Sequence, residues 1–161
     1  MSKRLVVVAG NIGAGKTSLT ERIGSRLGWR TDFESVADNP YLPDFYADMH
    51  AWSFHLQIYF LSERFKAQVQ IGSSALPFIQ DRTIYEDAEI FARNLFLQGN
   101  MAEREYQCYW ELYQVLSEFL PPPDLVVYLK ATTDTLRRRI ALRGRDYEQQ
   151  IQPEYLEQLN A

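Results

Sequence analysis

The sequence of 161 residues has only one cysteine, Cys108, so it cannot form an internal disulfide or a cysteine-rich metal site. It lacks an apolar run long enough to span a membrane, and no signal-peptide core follows Met1. It also lacks an excess of basic residues, since the net charge is −4, which disfavours sequence-independent binding of nucleic acid. These absences predict a cytoplasmic protein without nucleic-acid or membrane partners, and the length suits one domain over residues 1–161.

Strand-like and helical segments alternate along the chain. Apolar runs typical of strands lie at 5–9, 29–33, 76–80 and 125–129. Helical patterns cover 16–27, 53–71, 84–97, 102–120 and 134–142. Thr133 is the expected N-cap of the last of these, and Pro153 is expected to open one more helix. The alternation predicts an α/β fold with a parallel β-sheet flanked by helices on both faces, whose ligand binds beyond the carboxyl ends of the strands.

The first strand is followed by GNIGAGKT, which fits the phosphate-binding pattern G-x-x-x-x-G-K-[ST]. A chance match is disfavoured because the motif lies between a buried strand and a helix. Lys16 is predicted to reach the β- and γ-phosphates of a nucleotide, and Thr17 to ligate Mg²⁺. The predicted donor-binding residues are Gly10, Asn11, Ile12, Gly13, Ala14, Gly15, Lys16 and Thr17.

Charged residues also follow the second and third strands. Glu34 can accept the proton of an acceptor hydroxyl, although a solvated loop glutamate fits the same position. Asp81 can hold Mg²⁺, and Arg82 can orient the acceptor and neutralise developing charge. The competing interpretation of Asp81 and Arg82 is a surface ion pair.

Three arginines after the fourth strand could converge on one phosphate group. Arg139 and Arg143 are four residues apart and share a helix face, and Arg145 follows the helix-breaking Gly144. Guanidinium groups suit phosphoryl transfer, and a charged segment with a glycine can close as a lid, here about residues 139–149. A solvated basic helix is the competing interpretation.

A polar stripe interrupts the 53–71 helix. Gln57 and Arg64 are seven residues apart and therefore lie on one face. They could face solvent, or they could line a pocket that recognises the edge of a base, because both side chains make bidentate contacts. The spacing does not decide between the two.

Five ordered motifs resemble the deoxynucleoside kinases, and in particular their bacterial deoxyadenosine/deoxyguanosine kinase branch. The motifs are GNIGAGKTSL, FESVADNPYL, DFYADMHAWSFHLQIYFLSERFKAQ, QDRTIYEDAEIFARNLF and RIALRGRDYE. The resemblance runs from about Leu5 to the end of the chain. It implies a P-loop kinase three-layer fold. It also implies transfer of the γ-phosphate of ATP, with Mg²⁺, to the 5′-hydroxyl of a deoxynucleoside in nucleotide salvage, with purines favoured.

The resemblance implies a role for each matching residue near the reacting groups. Glu34 matches the family's general base, and Asp81 and Arg82 match its acid–arginine pair beside the 5′-hydroxyl and the metal. Tyr46 and Glu148 match the residues that bind the sugar 3′-hydroxyl. The expected catalytic set is Lys16, Glu34, Asp81, Arg82 and Arg139.

The base pocket and the lid are implied in the same way. Gln57 matches the side chain that hydrogen-bonds the base, and Arg64 and Asp87 match a pair that accompanies purine acceptance. Phe91 matches a ring that stacks on the base, whereas Leu56 stands where many relatives have an aromatic ring. Arg139, Arg143 and Arg145 match the lid arginines.

One departure from the family concerns the end of the chain. Relatives continue past the EYLEQLN helix into a fifth parallel strand and a final helix, whereas this sequence ends at Ala161. We therefore expect a truncated domain with an exposed apolar sheet edge and low stability.

Three other functions compete with the kinase interpretation. A thymidylate-type nucleoside monophosphate kinase shares the motifs but needs extra cationic groups around its acceptor, whereas the ESVAD segment is acidic. A P-loop switch or motor hydrolyses nucleotide, whereas the arginine beside Asp81 and the lid favour transfer to an acceptor. An inactive fragment that only binds nucleotide is the third.

An aromatic stripe bears on oligomeric state. Tyr106, Tyr109, Trp110 and Tyr113 repeat at helical spacing, and most such stripes belong to a core. Relatives pair through helices, and amphipathic aromatic residues suit interfaces, so a homodimer is expected.

Overall fold

Residues 4–34, 36 and 38–161 are described by the computed structural model. Within them, one four-stranded sheet has the order β2-β3-β1-β4, and every pairing is parallel. The strands are β1 (Leu5–Gly10), β2 (Arg30–Asp32), β3 (Phe78–Asp81) and β4 (Leu125–Leu129). All four carboxyl ends therefore meet at one edge of the sheet, where ligands bind in folds of this kind.

The central strand β1 is buried on both faces, whereas β4 lies at an edge. Val7 and Val8 point to opposite faces and are 1% and 0% exposed, as expected of a β-branched strand between two neighbours. On β4, Leu125, Val126 and Tyr128 are each about half exposed. The expected exposed apolar edge is therefore present at β4.

Helices alternate with the strands. They are α1 (Lys16–Leu27), α2 (Leu42–Ala47), α3 (Met49–Ser73), α4 (Ile84–Glu86), α5 (Arg93–Leu97), α6 (Glu103–Ser117), α7 (Thr133–Arg143) and α8 (Pro153–Asn160). A π-helical segment, Asp87–Ala92, joins α4 to α5, and a 3₁₀ turn, Asp146–Gln150, follows α7. Among the described residues, no helix has both the length and the apolar character needed to cross a bilayer.

Opposite faces of the sheet are covered by α1 and α3. The first approaches closely because Gly24 has no side chain: a Cβ there would lie 2.3 Å from Thr31 Cγ2. On the other face, Ile71 of α3 packs with Val7 of β1. This helix–sheet–helix arrangement confirms the predicted three-layer α/β fold.

The predicted strands lie within two residues of the observed ones, and α1 has the predicted bounds, ending at Gly28 with a φ of 68°. The start of α3 was placed too late. It begins at Met49 rather than at residue 53, because the Asp48 carboxylate caps it by accepting the Ala51 N–H. The short helix α2 was not predicted.

Other helix boundaries also differ from the prediction. The N-cap of α7 is Thr132 and not Thr133, since the Thr132 hydroxyl accepts the Thr135 N–H at 3.3 Å. Helix α6 is shorter than 102–120. The helix predicted over 84–97 is continuous, but its π-helical middle, where the wider turn changes the direction of side chains, was not predicted.

The aromatic stripe of α6 belongs mainly to the core. Tyr109 and Tyr113 are buried beside Leu61 of α3, and Tyr106 and Trp110 are half-buried against the same cluster. The homodimer stays a prediction.

Candidate active site

A pocket of about 710 Å³ opens at the carboxyl edge of the sheet. This volume is within the range typical of small-molecule sites. The predicted site residues that line it are Ile12, Gly13, Ala14, Gly15, Lys16, Thr17, Glu34, Tyr46, Gln57, Asp81, Arg82, Asp87, Phe91, Arg139, Arg143, Arg145 and Glu148. The other three, Gly10, Asn11 and Arg64, are buried but do not line it.

The donor loop, residues 10–17, takes its shape from glycine conformations and from α7. Gly13 and Gly15 have φ values of 81° and 98°, in the left-handed region that favours glycine. A Cβ on Gly13 would lie 3.0 Å from Ile140 Cγ1, so α7 packs tightly there because residue 13 has no side chain. The Arg139 guanidinium donates from Nη1 to the Ala14 carbonyl at 2.9 Å. The loop is therefore supported by the helix that carries the predicted lid arginines.

Lys16 spans this loop. Its Nζ donates to the Asn11 carbonyl at 2.9 Å. Burial and then the neighbouring Arg82 lower the pKa of Lys16 to about 8, against the opposing effects of Glu34 and Glu86. Because nearby negative charge favours a protonated lysine, an arriving phosphate raises this pKa again.

The Asn11 side chain anchors the donor loop to α8. Its Nδ2 donates to the Leu156 carbonyl and to Asn160 Oδ1, each at 2.9 Å, and its Oδ1 accepts the Ile12 N–H at 2.7 Å. Asn11 was predicted to bind the donor. These three bonds engage its side chain with α8 and with the loop itself, and a role of Asn11 in donor binding stays a prediction.

Thr17 and Asp81 meet beside the loop. Thr17 Oγ1 donates to Asp81 Oδ2 at 2.5 Å. The second carboxylate oxygen, Oδ1, is buried and has no hydrogen-bond partner among the described residues. The part of the chain that the structure describes holds no group of three or more acidic, His or Cys side chains arranged so that they could bind a metal ion by themselves. Thr17 and Asp81 fit Mg²⁺, which is often bound by one or two protein oxygens together with phosphate and water.

Five side chains of alternating charge run from one wall of the pocket to the donor loop. They are Asp87, Arg64, Glu34, Arg82 and Glu86, and we name them the ion-pair chain. Arg64 Nε donates to Asp87 Oδ2 at 2.8 Å, and its Nη2 to Glu34 Oε1 at 2.9 Å. Arg82 Nε lies 3.3 Å from the same Glu34 oxygen, and its Nη1 donates to Glu86 Oε1. Glu34 is 20% exposed, and the other four side chains of the ion-pair chain are at most 5% exposed. Asp81 is also buried, so the interpretation of Asp81 and Arg82 as a surface ion pair is wrong.

Arg82 combines a strained backbone with a fixed side chain. Its φ of 70° makes it the one non-glycine residue of the described ranges in the left-handed region. Its N–H donates to the Val8 carbonyl at 2.9 Å, and its Cζ lies 4.3 Å from the centre of the Phe91 ring. Such strain persists where the surroundings determine the conformation, and it is common in active sites.

Glu34 stays ionised at the centre of the ion-pair chain. Burial on its own would raise the pKa of Glu34, but Arg82, Arg64 and Lys16 outweigh it and lower the pKa to about 2. Burial raises the pKa of Asp87 and of Glu86 despite their arginine partners. The middle carboxylate is therefore held more firmly in its charged form than the two at the ends.

The polar stripe of α3 divides into two parts. Gln57 lines the pocket, and its Oε1 is buried without a hydrogen-bond partner among the described residues. Arg64 lies beneath the wall and pairs with Asp87 and Glu34. The solvent-facing interpretation is wrong for both residues, and the pocket-lining one holds for Gln57. Leu56 lines the pocket beside Gln57.

Glu148 binds two of the three predicted lid arginines. Its Oε2 accepts from Arg143 Nε and Nη2 at 3.0 and 2.5 Å, and its Oε1 accepts from Arg145 Nη1 at 3.0 Å. Arg139 does not join them because it is bonded to Ala14. Arg143 and Arg145 therefore meet on a carboxylate, and the convergence of all three arginines on a phosphate group stays a prediction.

Tyr46 lies close to this group. Its ring stacks on Tyr147 with centroids 6.0 Å apart. Burial, followed by Tyr155 and Glu148, raises the pKa of Tyr46 well above its ordinary value. Tyr46 is therefore a neutral phenol that can donate a hydrogen bond.

Comparison with known proteins extends over nearly the whole chain. Residues 6–161 match the family described as deoxynucleoside kinase. The chain belongs to the deoxynucleoside kinase family. It is 43% identical over 158 residues to the deoxyadenosine/deoxycytidine kinase of Bacillus subtilis (strain 168), covering 97% of this chain and 73% of that protein. It is 45% identical over 154 residues to the deoxyadenosine kinase of Dictyostelium discoideum, covering 96% of this chain and 62% of that protein.

A solved structure agrees with these relatives. The deoxyadenosine kinase from M. mycoides with bound dATP superposes with a TM-score of 0.87 at 34% identity, covering 98% of this chain and 80% of that one. The family predicted from the five motifs is confirmed, and with it a phosphotransferase that acts on a hydroxyl group.

Some parts of this deoxynucleoside kinase site were not predicted. Glu86 was not assigned. Its spacing from Thr83 also fits the T-x-x-E capping box, a local pattern in which the glutamate binds back to the start of its own helix. The Thr83 hydroxyl does accept the Glu86 N–H at 3.2 Å, but the Glu86 carboxylate points elsewhere. Phe60 and Tyr155 line the pocket without any signal beyond their apolar character.

Proposed function

We propose that the pocket transfers the γ-phosphate of ATP to the 5′-hydroxyl of a deoxynucleoside, with purine deoxynucleosides favoured, as a step of nucleotide salvage. The supporting observation is the charge balance of the ion-pair chain. Its two guanidinium groups face three carboxylates, so it has no surplus positive charge for a phosphorylated acceptor. A neutral hydroxyl, in contrast, finds in Glu34 an ionised oxygen that can accept its proton.

The proposed roles at the hydroxyl follow from the charges around it. Glu34 orients the hydroxyl and receives its proton. A carboxylate with a pKa of about 2 is a weak base, so orientation is the larger part of its role until the hydroxyl becomes acidic late in the transfer. Arg82 lies beside Glu34 and neutralises charge that develops on the transferred group.

The donor side uses the loop and the lid. The Lys16 ammonium and the backbone N–H groups of residues 13 and 15–17 bind the phosphates, since those of Gly10, Ile12 and Ala14 are bonded within the protein. Thr17 and Asp81 hold Mg²⁺. The ion, when bound, neutralises phosphate charge. We expect residues 139–149 to close as a lid, which requires Arg143 and Arg145 to move from Glu148 toward the donor.

The sugar and the base occupy the remaining wall. We expect Tyr46 to donate to the 3′-hydroxyl and Glu148 to accept from it, and this is supported by the fact that both line the pocket. Gln57 offers its unpaired Oε1 to the edge of the base, and Phe91 offers a ring face. Arg64 acts through Asp87 and Glu34, whose carboxylates it fixes.

We also propose that the protein is a homodimer that uses the outer face of α6. Leu112 and Val115 are 40% and 55% exposed there, while the tyrosines of the same helix are used in the core. Sedimentation at micromolar concentration is expected to show a dimer, and a monomer alone would contradict this part of the proposal.

The function is tested by an acceptor panel. ATP and Mg²⁺ are supplied with deoxyadenosine, deoxyguanosine, deoxycytidine, thymidine or dTMP, and the products are separated by chromatography. Phosphorylated deoxyadenosine or deoxyguanosine is expected as the main product. Phosphorylation of dTMP without phosphorylation of any nucleoside contradicts the proposal, as does release of phosphate that no acceptor accelerates.

The role of Glu34 is tested with Glu34→Gln. The amide keeps the size but cannot take the proton, so kcat is expected to fall by roughly 10²–10⁴-fold while acceptor binding changes little. Glu21→Gln makes the same chemical change at an exposed position on α1 and serves as the control. An unchanged kcat would assign the base to Asp81.

A further inference from the structure

Glu86 lies at the end of α4, and none of the roles described above uses it. Its side chain is 4% exposed, although it is a carboxylate. Burial of a charged group costs free energy unless partners compensate it, so its contacts decide what it does. One oxygen, Oε1, accepts from Arg82 Nη1, and the other, Oε2, accepts the Gly10 N–H at 2.8 Å.

These two contacts join the two halves of the site. Gly10 is the first residue of the donor loop, and Arg82 stands beside the Glu34 carboxylate at the acceptor. Glu86 is thus the end of the ion-pair chain that touches the donor loop directly. Through Arg82 and Glu34, the position of the loop is linked to the position of the acceptor groups.

Arg82 depends on such a partner. Its left-handed backbone is not favoured for arginine, and its contact with Glu34 is 3.3 Å long, longer than its contact with Glu86. A charge-assisted hydrogen bond in a buried place is strong and directional. Glu86 is therefore the closer of the two carboxylates that fix the direction of the Arg82 side chain.

We propose that Glu86 is a positioning residue for phosphoryl transfer, which holds the Arg82 guanidinium and the Gly10 amide in one fixed relation through its two carboxylate oxygens. The proposal rests on the proposed function, because Arg82 must act on the acceptor or on the transferred phosphate. Glu86 itself touches neither.

The first test is Glu86→Gln, with Glu21→Gln as the matched control. Glutamine keeps the size and offers one acceptor oxygen, so it can serve either Arg82 or Gly10 but not both. We expect kcat to fall by about 10- to 100-fold, because small displacements of aligned groups have effects of that size, while both KM values change by less than about threefold. A kcat within about twofold of wild type overturns the proposal.

The second test separates positioning from a general loss of structure. Arg82→Lys and Arg82→Lys/Glu86→Gln are compared. If Glu86 acts through Arg82, its replacement costs less than about threefold once Arg82 is impaired, whereas two independent contributions multiply. Multiplicative losses overturn the proposal. Glu86→Asp retains the charge but shortens the side chain by one methylene, so it should not reach both Arg82 and Gly10. Activity equal to that of the wild type in this variant would show that the two contacts are not both needed.

A third measurement does not need turnover. In the wild-type protein the Gly10 amide proton resonance is expected far downfield, because it is bonded to a carboxylate, and Glu86→Gln should move it upfield. If the wild type phosphorylates no nucleoside but this shift is present, the proposed function fails while the contact stands. If turnover is present and the Gly10 resonance is the same in both proteins, the proposal for Glu86 is overturned.

Discussion

The two arginine groups of the site are held in different ways. Arg64 on α3 and Arg82 directly after β3 are 5% and 4% exposed, and each lies between two carboxylates. After β4, Arg143 and Arg145 are 34% and 32% exposed and share the single carboxylate of Glu148. The first group is held on two sides by carboxylates of the protein, whereas the second is held by a single residue that we assign to the acceptor sugar.

This difference matches the demands of the reaction. A buried, fully paired guanidinium has no alternative partner to move to, so it can provide a preorganised environment for charge that develops during transfer. A half-exposed guanidinium on a shared carboxylate is held weakly and can exchange partners, as a lid requires. We infer that Arg64 and Arg82 keep the groups around the acceptor in a fixed geometry, whereas Arg143 and Arg145 allow the lid to close.

The largest expected effect is at Arg82, one of the two buried arginines. Arg82→Lys removes the planar fork that serves Glu34 and Glu86 together, and kcat is expected to fall by about 10²–10³-fold. Steady-state kinetics with ATP and deoxyadenosine measure it, and Arg26→Lys at an exposed position of α1 is the control. A loss no larger than that of Arg143→Lys would remove the distinction between the two groups.

The pH dependence of donor binding and of turnover distinguishes Lys16 at the donor loop from Glu34 at the acceptor. The pKa of Lys16 is about 8, so its charge is lost as pH rises through 8, and donor affinity should fall by up to about tenfold per pH unit above that. The pKa of Glu34 is about 2, so Glu34 produces no acid limb above about pH 4. Calorimetric titration with ATP between pH 7 and 10 measures the first effect, with Lys66→Met as the exposed control. Constant affinity over this range contradicts the account of Lys16.

A smaller effect with a distinctive sign is expected at Glu148. Glu148→Gln replaces charge-assisted hydrogen bonds by neutral ones, so the KM for the deoxynucleoside should rise about 5- to 10-fold. The KM for ATP should stay the same or fall, because Arg143 and Arg145 are released toward the donor. Glu154→Gln, exposed on α8, is the control. Equal increases in both KM values would indicate a structural role.

The smallest effect is expected at the edge of the sheet. Val126→Ala on β4 should change the free energy of unfolding by no more than about 0.5 kcal/mol, because Val126 is 55% exposed. The same change at its register partner Val7, 1% exposed, should cost roughly 2 kcal/mol. Denaturant unfolding measures both, and similar losses at the two positions would show that β4 is covered in solution.

The sequence predicted the sheet, the donor loop and the residues after each strand, because local patterns and chain order determine them. It could not predict the partners of those residues. Arg64 and Gln57 share a helix face, yet one pairs beneath the wall and the other faces the pocket, which depends on Glu34 and Asp87 from distant parts of the chain. Glu86 fits a local capping pattern and instead reaches Gly10, 76 residues away. Contacts between residues so far apart in the sequence are determined by tertiary packing.

The central claim is that the acceptor arginines are fixed before substrate binds and the lid arginines are not. Arginine Nε–H resonances, recorded with and without ATP and deoxyadenosine, test it most directly. The account predicts rigid, slowly exchanging signals for Arg64 and Arg82 in both states, and signals for Arg143 and Arg145 that are mobile in the free protein and become ordered with substrates. Signals of Arg82 that are as mobile as those of Arg143 in the free protein would contradict it.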